Sequence, residues 1–544
     1  MKTMRLKKLL LVLMTLFVSM TAGAVDYPIV GTFTYGGTAK YTWTLEADGT
    51  LTLAGNAGQD GKVTYYETDE PSDISGHPFY AYKDVIKKVI VANGITKLNL
   101  SIFKDFPIET LDLSEGGSLT NESLVERLLN NTTLKTICLG DKITTISNGM
   151  FRGCTALEKV VESTSKDYLS KITSIGNRAF SSCTSLKSML IMGASALSIG
   201  YAAFENCTSL ESFGAYSIGE IGNAAFMGCS ALETFSQVSG PTSIGSQAFR
   251  YCTSLVSYSS GSGLTSVSTY PFDGCTSLKY LSLSASSLTG TFYRTTWGTI
   301  PDAAIVYLPA GCTVDEYNMV TGETCPDFRL YEGSEYKGIK SFTANKVTYE
   351  RTMAADKLYT ICLPYVYKNA AWKYYQIDKV ADNTITFKEI DQESLAADEP
   401  YLVSTGTAGV SNLNTTVATA ISGGYGVTKA GDFEFRGTFK EISNEYLTGE
   451  TKNFYILQTD KSWKKVTTTD KTAYVPPFRG YIGTNKAVGA RELMIDFEDD
   501  VTGVKQIKTV GLDGTEQYYD LSGRRLSQPK KGINIVNGRK VIIK

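Results

Sequence analysis

Six of the ten cysteines recur at one phase of a repeated unit, and cysteine can bind metals, form disulfides or carry redox chemistry. The unit has the form [I/V]-x-x-x-x-F-x-x-C-x-x-L, and Leu128, Asn131 and Leu134 fit the same frame with asparagine in place of cysteine. Neither a crosslink nor a metal site would tolerate that exchange. We therefore interpret the six as a structural ladder of small buried hydrophobic side chains. They are Cys154, Cys183, Cys207, Cys229, Cys252 and Cys275.

The remaining cysteines, Cys138, Cys312, Cys325 and Cys362, lie outside this ladder. In an exported chain an even number of cysteines favours disulfides. Cys312 and Cys325 are close in sequence and form the favoured pair, although sequence alone does not establish the geometry that a disulfide requires.

This chain lacks the residues that most kinds of enzyme catalysis require. His77 is the only histidine; it precedes Pro78 in a predicted loop, and we interpret it as a surface residue rather than a catalyst. One histidine excludes a two-histidine zinc site within the chain, and any Ser-His-Asp or Cys-His nucleophile would depend on it. No G-x-S-x-G, phosphate-binding loop or H-E-x-x-H motif occurs, and the 55 acidic residues leave a glycosidase-type carboxylate pair open without indicating one. We predict a non-enzyme with no metal and no cofactor.

The repeats themselves predict the fold that positions the cysteines. Successive phenylalanines of the unit, from Phe151 to Phe272, are 29, 24, 22, 23 and 23 residues apart. One supersecondary unit of this length buries its apolar side only by stacking on its neighbours, so we predict a solenoid. Within a coil, Leu186, Met189 and Ile191 follow an L-x-x-L-x-L rhythm typical of a short strand. Stacked strands would form a parallel sheet with about 4.8 Å between coils, which offers an extended surface and favours binding over catalysis.

The outward face of that sheet is predicted to be small, hydroxyl-rich and weakly charged. Its largest side chains, Leu190, Tyr216 and Tyr280, are the candidate binding residues, and isolated exposed apolar residues are the alternative interpretation. The two predicted rows are Lys159, Ser188, Ser212, Thr234, Ser257 and Tyr280, followed by Val161, Leu190, Gly214, Ser236, Ser259 and Ser282.

The N-terminus predicts export. Four basic residues within the first eight precede an apolar run at 9–18, and Ala22-Gly23-Ala24 has the small-x-small pattern of a signal-peptide cleavage site. The first cysteine, Cys138, is far from that point, which argues against a lipoprotein. No later stretch reaches the ~18 apolar residues of a spanning helix. Without the leader, 49 basic and 55 acidic side chains give a formal charge of about −6, which argues against nucleic acid as a partner.

Beyond residue 340 the chain is rich in short Thr-, Tyr- and Val-containing runs between turns, which predicts a β-sandwich. Trp372 and Trp463 in this domain are candidate sugar-stacking platforms, with aromatic packing inside the domain as the alternative.

The tail is basic, and its sequence predicts a hairpin with an Asn537-Gly538 turn. This hairpin either completes the sandwich or acts as a sorting or anchoring signal. The predicted organisation is a signal peptide at 1–24, an N-terminal β module or cap at 25–75, the solenoid at 76–332, the β-sandwich-like domain at 333–500 and the tail at 501–544.

Strings of the form I-G-x-x-A-F-x-x-C-x-S-L, such as the one from Ile175 to Leu186, resemble the leucine-rich repeats of the BspA-like surface protein family. The segment from Trp43 to Leu53 is similar to the module that precedes such repeats. The resemblance implies a cell-surface protein, and some family members are adhesins for host extracellular-matrix proteins or for other bacteria. It supplies no fixed binding residues. The C-terminal region, including Pro477-Phe478-Arg479-Gly480-Tyr481, is similar to tails of exported Bacteroidales proteins and implies a source in that order.

These observations lead to a principal hypothesis and two rivals. The principal one is an exported, non-enzymatic surface adhesin that binds a host matrix protein or a bacterial surface protein through the solenoid face. The alternative is a surface glycan-binding protein that uses the C-terminal β-domain. An enzyme with an unrecognised site is the least favoured.

Overall fold

The computed structural model describes residues 26–35, 38–55, 61–63, 77–117, 119–283, 287–314, 316–381, 383–407, 409–410, 412–422, 424, 426–449, 452–485 and 492–497, and four strands of the tail by their backbone. The predicted leader at 1–24 and the predicted Asn537-Gly538 turn lie outside these residues. The chain divides into two compact units, Met1–Pro326 and Asp327–Lys544.

The first unit opens with an antiparallel meander of Ile29–Tyr35, Thr38–Leu45 and Thr50–Gly55. The turn before the third strand forms because Gly49 adopts a φ of +83° and the Asp48 carboxylate accepts the Thr50 N–H at 2.9 Å. The third strand then pairs in parallel with Lys88–Val91, so the meander is continuous with the solenoid sheet.

His77 is buried rather than on the surface, so that prediction is wrong. Its side chain is 1% exposed, its Nδ1 lies 2.7 Å from the Tyr41 hydroxyl, and its ring stacks on Phe79 with centroids 5.4 Å apart. The imidazole thus belongs to the aromatic core beneath the meander. The sequence placed it in a loop, and only the packing of the module shows that the loop folds inward.

The solenoid has about 11 turns, with parallel strands on one face and a second set of short parallel strands on another. This confirms the predicted repeat fold. The predicted face comprises Lys88–Val91, Thr110–Asp112, Thr136–Cys138, Lys159–Val161, Ser188–Ile191, Ser212–Ile221, Thr234–Ser239, Ser257–Ser259, Tyr280–Ser282, Ile305–Leu308 and Met319–Thr321, with Thr324–Cys325 antiparallel to the last. The second face comprises Lys62–Val63, Lys97–Asn99, Leu124–Val125, Thr145–Ile146, Ser174–Ile175, Leu197–Ile199, Ser243–Ile244, Ser266–Val267, Gly290–Phe292 and Cys312–Val314, with the end of Ser212–Ile221. Short 3₁₀ turns occur at Pro78–Tyr82, Leu100–Phe103, Asn121–Ser123 and Arg294–Trp297.

A stack of phenylalanine rings forms the centre of the solenoid. Phe226 lies parallel to Phe204 and Phe249, with centroid distances of 5.0 and 5.4 Å and interplanar angles of 5° and 3°. Phe213 and Phe235 meet the same ring edge to face. Aromatic pairs of both geometries are stabilising beyond the area that they bury, so the repeated phenylalanine fixes the stacking of coils.

Two positions in each repeat take the left-handed backbone conformation and shape the turn around the phenylalanine. In one coil they are Arg178 and Ser182, with φ of +54° and +64°. The Ser182 N–H donates to the Glu205 carbonyl of the next coil at 2.7 Å, so hydrogen bonds link the coils on the turn side as well. The equivalent pairs in the later coils are Ala202 and Asn206, Ala224 and Gly228, Gln247 and Tyr251, and Tyr270 and Gly274.

The second unit is an all-β half-barrel with little helix, which confirms the predicted all-β class. Its ten main strands belong to a single sheet that curls around Phe387, Phe435 and Trp463. In sheet order they are Leu358–Cys362, Pro400–Ser404, Lys373–Ala381, Thr384–Ile390, Glu492–Phe497, Trp463–Lys465, Asn453–Leu457, Arg479–Thr484, Phe433–Thr438 and Val427–Ala430.

Smaller elements complete this unit. Phe328–Leu330 pairs in parallel with Val347–Tyr349, and Phe342–Ala344 pairs antiparallel with Thr419–Ile421. A short helix spans Asn444–Gly449, and a 3₁₀ turn spans Gln392–Ser394. The tail contains antiparallel strands, including the predicted pair near the end of the chain; its strands are Tyr518–Tyr519, Arg525–Leu526, Gly532–Val536 and Arg539–Ile543.

Candidate functional site

The outward face of the solenoid sheet is the candidate site, and the parallel register decides which side chains become neighbours on it. Ser188 pairs with Ser212 and Ser212 with Thr234, which is the row predicted from the repeat. In the next row Leu190 pairs with Gly214, and a Cβ added at Gly214 would lie 2.9 Å from a Leu190 methyl carbon. The small residue therefore gives Leu190 room to lie across the neighbouring strand.

Three exposed apolar side chains line up across three consecutive coils, and Leu190 lies beside them. Met192, Tyr216 and Val238 are 48%, 45% and 73% exposed. Tyr216 lies opposite Val238, because the flanking pairs are Ala215 with Gln237 and Ser217 with Ser239. Met192 follows Ile191, which pairs with Ala215, so Met192 falls in the same row. We call Leu190, Met192, Tyr216 and Val238 the apolar row.

Polar and acidic groups surround this row. Ser188, Thr234 and Ser236 are exposed on the same strands, and Glu211 and Glu233 are exposed directly before two of them. The backbone of Glu233 bonds to that of Glu211 at 3.0 Å, so the two carboxylates project from adjacent coils. A patch with apolar side chains inside a polar rim has the anatomy of a protein-binding surface.

The long repeat between Phe151 and Phe180 places its extra residues beside the apolar row. The Leu169 N–H donates to the Leu190 carbonyl at 2.9 Å, and the Met192 N–H donates to the Leu169 carbonyl at 2.8 Å. The insertion thus occupies the strand edge next to Leu190 and Met192 and exposes Tyr168 close by in the chain. It forms one border of the candidate site.

Glu162 holds this insertion in place. Its buried carboxylate accepts the Ser170 N–H at 2.8 Å, a bond from the Ser170 hydroxyl, and the Lys166 ammonium at 2.5 Å. Burial opposes ionisation of Glu162, yet the hydrogen bonds from Lys166 and Ser170 outweigh it and lower its pKa below the ordinary value. The anionic form is therefore the one that orders the loop.

The other candidate residues fall in different environments. Tyr280 lies on the face in register with Ser257 but is only partly exposed. Trp372 and Trp463 are buried, and Trp463 packs against Phe387 and Phe435 inside the half-barrel. The two tryptophans are therefore not surface platforms, and the alternative interpretation, aromatic packing inside the domain, is the correct one. Trp463 begins a strand and Trp372 directly precedes one, and the sequence did not show that both side chains turn inward.

The six ladder cysteines lie inside the solenoid, each directed at the preceding coil. The Cys207 thiol donates to the Phe180 carbonyl and the Cys229 thiol to the Phe204 carbonyl, both at 3.1 Å. Asn131 takes the same place with its amide, which donates to the Phe106 carbonyl at 3.0 Å while its carbonyl oxygen accepts the Leu134 N–H at 2.9 Å. Burial raises the pKa of Cys154 and of Cys275 to about 12.

The expected disulfide is not formed. Cys312 and Cys325 are separate buried thiols, and the Cys312 thiol donates to the Leu288 carbonyl at 3.4 Å.

Neither a cluster of metal ligands nor a membrane-spanning helix occurs in the residues that the structure describes. Within the described ranges, no group of three or more His, Cys, Asp or Glu side chains is arranged to hold a metal ion. No helix in the described part of the chain is long and apolar enough to cross a membrane.

Sequence reasoning missed Met192 and Val238. The repeat frame contained the information needed to find them, because both stand at the position of Tyr216 in the adjacent coils. What the frame did not show is that the strands of this region extend far enough to include that position, as Ser212–Ile221 and Thr234–Ser239 do.

The stacked coils and the exposed sheet define the class of this part of the protein: it is a repeat solenoid with an elongated sheet surface open to solvent. Residues 72–211 and 161–279 match the family model of the BspA type leucine-rich repeat region, in six copies. The repeat region at 72–279 thus matches the model of the BspA-type leucine-rich repeats, as its sequence motifs predicted.

Solved structures of bacterial leucine-rich repeat proteins are similar to part of the chain. A leucine-rich repeat protein from Bacteroides ovatus shares 16% identity over 54% of this chain and 100% of its own, with a TM-score of 0.22. The Treponema pallidum leucine-rich repeat protein shares 19% identity over 34% and 76%, with a TM-score of 0.24. A leucine-rich cell surface protein from Faecalibacterium prausnitzii shares 17% identity over 52% and 95%, with a TM-score of 0.18. No curated protein matches the chain.

Proposed function

We propose that this chain is an exported, non-enzymatic surface protein that binds another protein through the outward face of its solenoid, as an adhesin does. The observation that carries the proposal is the apolar row, which places a leucine, a methionine, a tyrosine and a valine side by side on a face otherwise lined with hydroxyl groups. Exposed apolar residues that are contiguous and rimmed by polar groups mark interaction sites, whereas single ones do not.

The composition of the row fits protein recognition. Tyrosine and methionine are enriched in the central part of protein interfaces, where a few side chains provide most of the binding energy. Tyr216 stands at the middle of the row with Met192 and Val238 on either side. We assign it the central contact, with Leu190 next to it and Tyr280 as a more distant candidate. The proposed partner is a host matrix protein or a surface protein of another bacterium.

The test measures binding of the full chain to immobilised matrix proteins and to whole bacterial cells. We expect saturable binding that weakens at least about tenfold in Tyr216→Ala, the loss typical of one central contact. Tyr201→Ala is the matched control, because Tyr201 is 43% exposed but lies in the turn before Phe204 and not on the face. Tyr280→Ala should produce a smaller loss.

Equal affinities of Tyr216→Ala, of the double variant Tyr216→Ala/Val238→Ser and of the unchanged chain would contradict the use of this face. Binding that disappears in Tyr201→Ala as well would point to the turn side of the solenoid instead. Circular dichroism of each variant establishes that the coils remain folded.

A further inference from the structure

A cleft of about 240 Å³ lies within the unit Asp327–Lys544, and two arginines, Arg351 and Arg479, line it. A single water occupies only about 10–15 Å³ of such space, so the cleft accommodates a small organic molecule. All of its lining residues come from this one unit, and none of them belongs to the solenoid face.

Arg351 is a buried cation, and few protein groups accept hydrogen bonds from it or offset its charge. It is 5% exposed, and its two terminal nitrogens donate to one oxygen, the Thr360 carbonyl, at 3.4 and 3.3 Å. The ring of Tyr359 lies 5.7 Å from the guanidinium carbon. A guanidinium has five N–H donors, and among the described residues none of the Arg351 donors forms an ion pair with a carboxylate.

The carboxylate beside the cleft is already engaged by other groups. Glu332 pairs with Arg479, and its other oxygen accepts the Tyr349 hydroxyl at 2.5 Å. Two guanidiniums thus lie near one carboxylate that only Arg479 contacts directly, and the group carries an excess positive charge. Burial, followed by the nearby charge of Arg479, lowers the pKa of Arg351 to about 10, so Arg351 remains charged at neutral pH. A buried charge without an opposite charge in contact destabilises the fold, and a bound anion would relieve that cost.

The other walls of the cleft are mostly apolar. Leu358, Ile456, Val475 and Pro476 line it together with Tyr474, which is exposed. An inorganic anion would leave these walls without a partner. A planar guanidinium matches a carboxylate through two parallel hydrogen bonds. We propose that the cleft binds a small organic carboxylate, with Arg351 holding the carboxylate and the apolar wall holding the hydrocarbon part. This inference does not depend on the solenoid face.

Calorimetric titration of the full chain with phenylacetate tests the assignment, because this probe combines a carboxylate with an apolar ring. We expect saturable binding of phenylacetate and none of 2-phenylethanol, its neutral analogue. Arg351→Met should weaken phenylacetate binding at least tenfold without lowering the thermal midpoint, because an apolar side chain of similar size replaces a buried unpaired charge. Arg329→Met is the matched control; its guanidinium pairs with Asp327 at 2.8 Å away from the cleft, and binding should not change.

Three results would overturn the inference: no saturable uptake of phenylacetate, equal affinity for 2-phenylethanol, or inorganic phosphate bound as tightly as phenylacetate. Unchanged affinity in Arg351→Met together with a lower thermal midpoint would show that the arginine is structural only. If Arg351→Met does not fold, Tyr474→Ala at the exposed wall provides the second variant. It should weaken phenylacetate binding, and retained affinity in that variant would also count against the site.

Discussion

At the scale of single residues, the repeated cysteine is a packing and hydrogen-bonding element rather than a reactive one. The thiols of Cys183 and Cys252 donate to the carbonyls of Phe151 and Phe226 in the coils before them. Asn131 makes the same kind of contact with an amide, which explains why the frame accepts either residue. Each position needs a small buried side chain with a donor directed at the preceding coil. The accepting carbonyl already takes a backbone N–H within its own turn, as that of Phe151 does from Cys154 at 3.2 Å, so the side-chain donor adds a second bond that links the two coils.

The first prediction concerns the reactivity of these thiols. Burial raises the pKa of Cys207 and Cys252 well above the ordinary value, and the thiolate is the form that reacts. We expect iodoacetamide at pH 8 to leave the six ladder cysteines unmodified in the native chain and to modify all ten cysteines in guanidinium chloride. Mass spectrometry of the digested protein measures both. Rapid modification of Cys207 in a chain that keeps its circular dichroism spectrum would contradict the buried ladder.

At the scale of elements, the insertion after Lys159–Val161 shows how one irregular coil changes the candidate surface. Its residue Leu169 pairs with the strand that carries Leu190, where a regular coil would have continued the sheet. The buried carboxylate of Glu162 orders this loop through Lys166 and Ser170. The border of the apolar row therefore depends on one ionised side chain.

The second prediction concerns the pH dependence of this element. The folded-state pKa of Glu162 is lower than its unfolded value, so its stabilising contribution is present above the unfolded pKa and is lost as pH falls through the folded pKa. We expect Glu162→Gln to lower the free energy of local opening by about 1.5–3 kcal/mol at pH 7, the typical value of a hydrogen bond to a charged group. Hydrogen exchange of the Leu169 and Ser170 amides measures this opening.

The same measurement at acidic pH provides the control for Glu162. Below the folded pKa the carboxyl of the unchanged chain is neutral, and the difference between it and Glu162→Gln should shrink. A difference that stays constant from pH 7 to pH 3 would show that the charge is not what orders the insertion.

At the scale of the whole solenoid, stability arises from contacts between neighbouring coils, as in other repeat proteins. The aligned rings from Phe151 to Phe272 extend through six coils, and each of the four inner rings stacks on the one before it and the one after it. The hydrogen-bonded turns run parallel to this stack. A disturbance in one coil should therefore be felt most by the coils next to it.

The third prediction concerns Phe226 at the middle of the stack. We expect Phe226→Ala to lower the free energy of unfolding of the solenoid by about 3–5 kcal/mol, because it leaves a cavity between Phe204 and Phe249. Urea unfolding measures the loss, and hydrogen exchange should show it concentrated in the coils of Cys207 and Cys252. Val238→Ser, at a side chain that is largely exposed, should change the free energy of unfolding by no more than about 0.5 kcal/mol. A uniform loss of protection from Lys88 to Thr321 would contradict nearest-neighbour behaviour.

The spacing of residues along the chain was enough to establish the solenoid, the buried ladder and most positions of the outward rows, because a side chain repeated at a fixed interval must occupy the same place in every coil. Ser188, Ser212 and Thr234 align by their position in the repeat alone for that reason. The resemblance of the repeat region to the BspA-type repeats followed from the same strings. The prediction that Val161 faces outward is wrong: it is 3% exposed, in the coil that the insertion interrupts.

Tertiary packing determined the features that do not recur with the repeats. His77 is buried because the meander folds over it, and Trp463 is inside because the half-barrel curls toward it. Arg351 and Arg479 are far apart in the chain, and the curling of the sheet brings them to one cleft. Burial and the meeting of distant side chains depend on how whole elements pack, and local sequence carries little information about that packing.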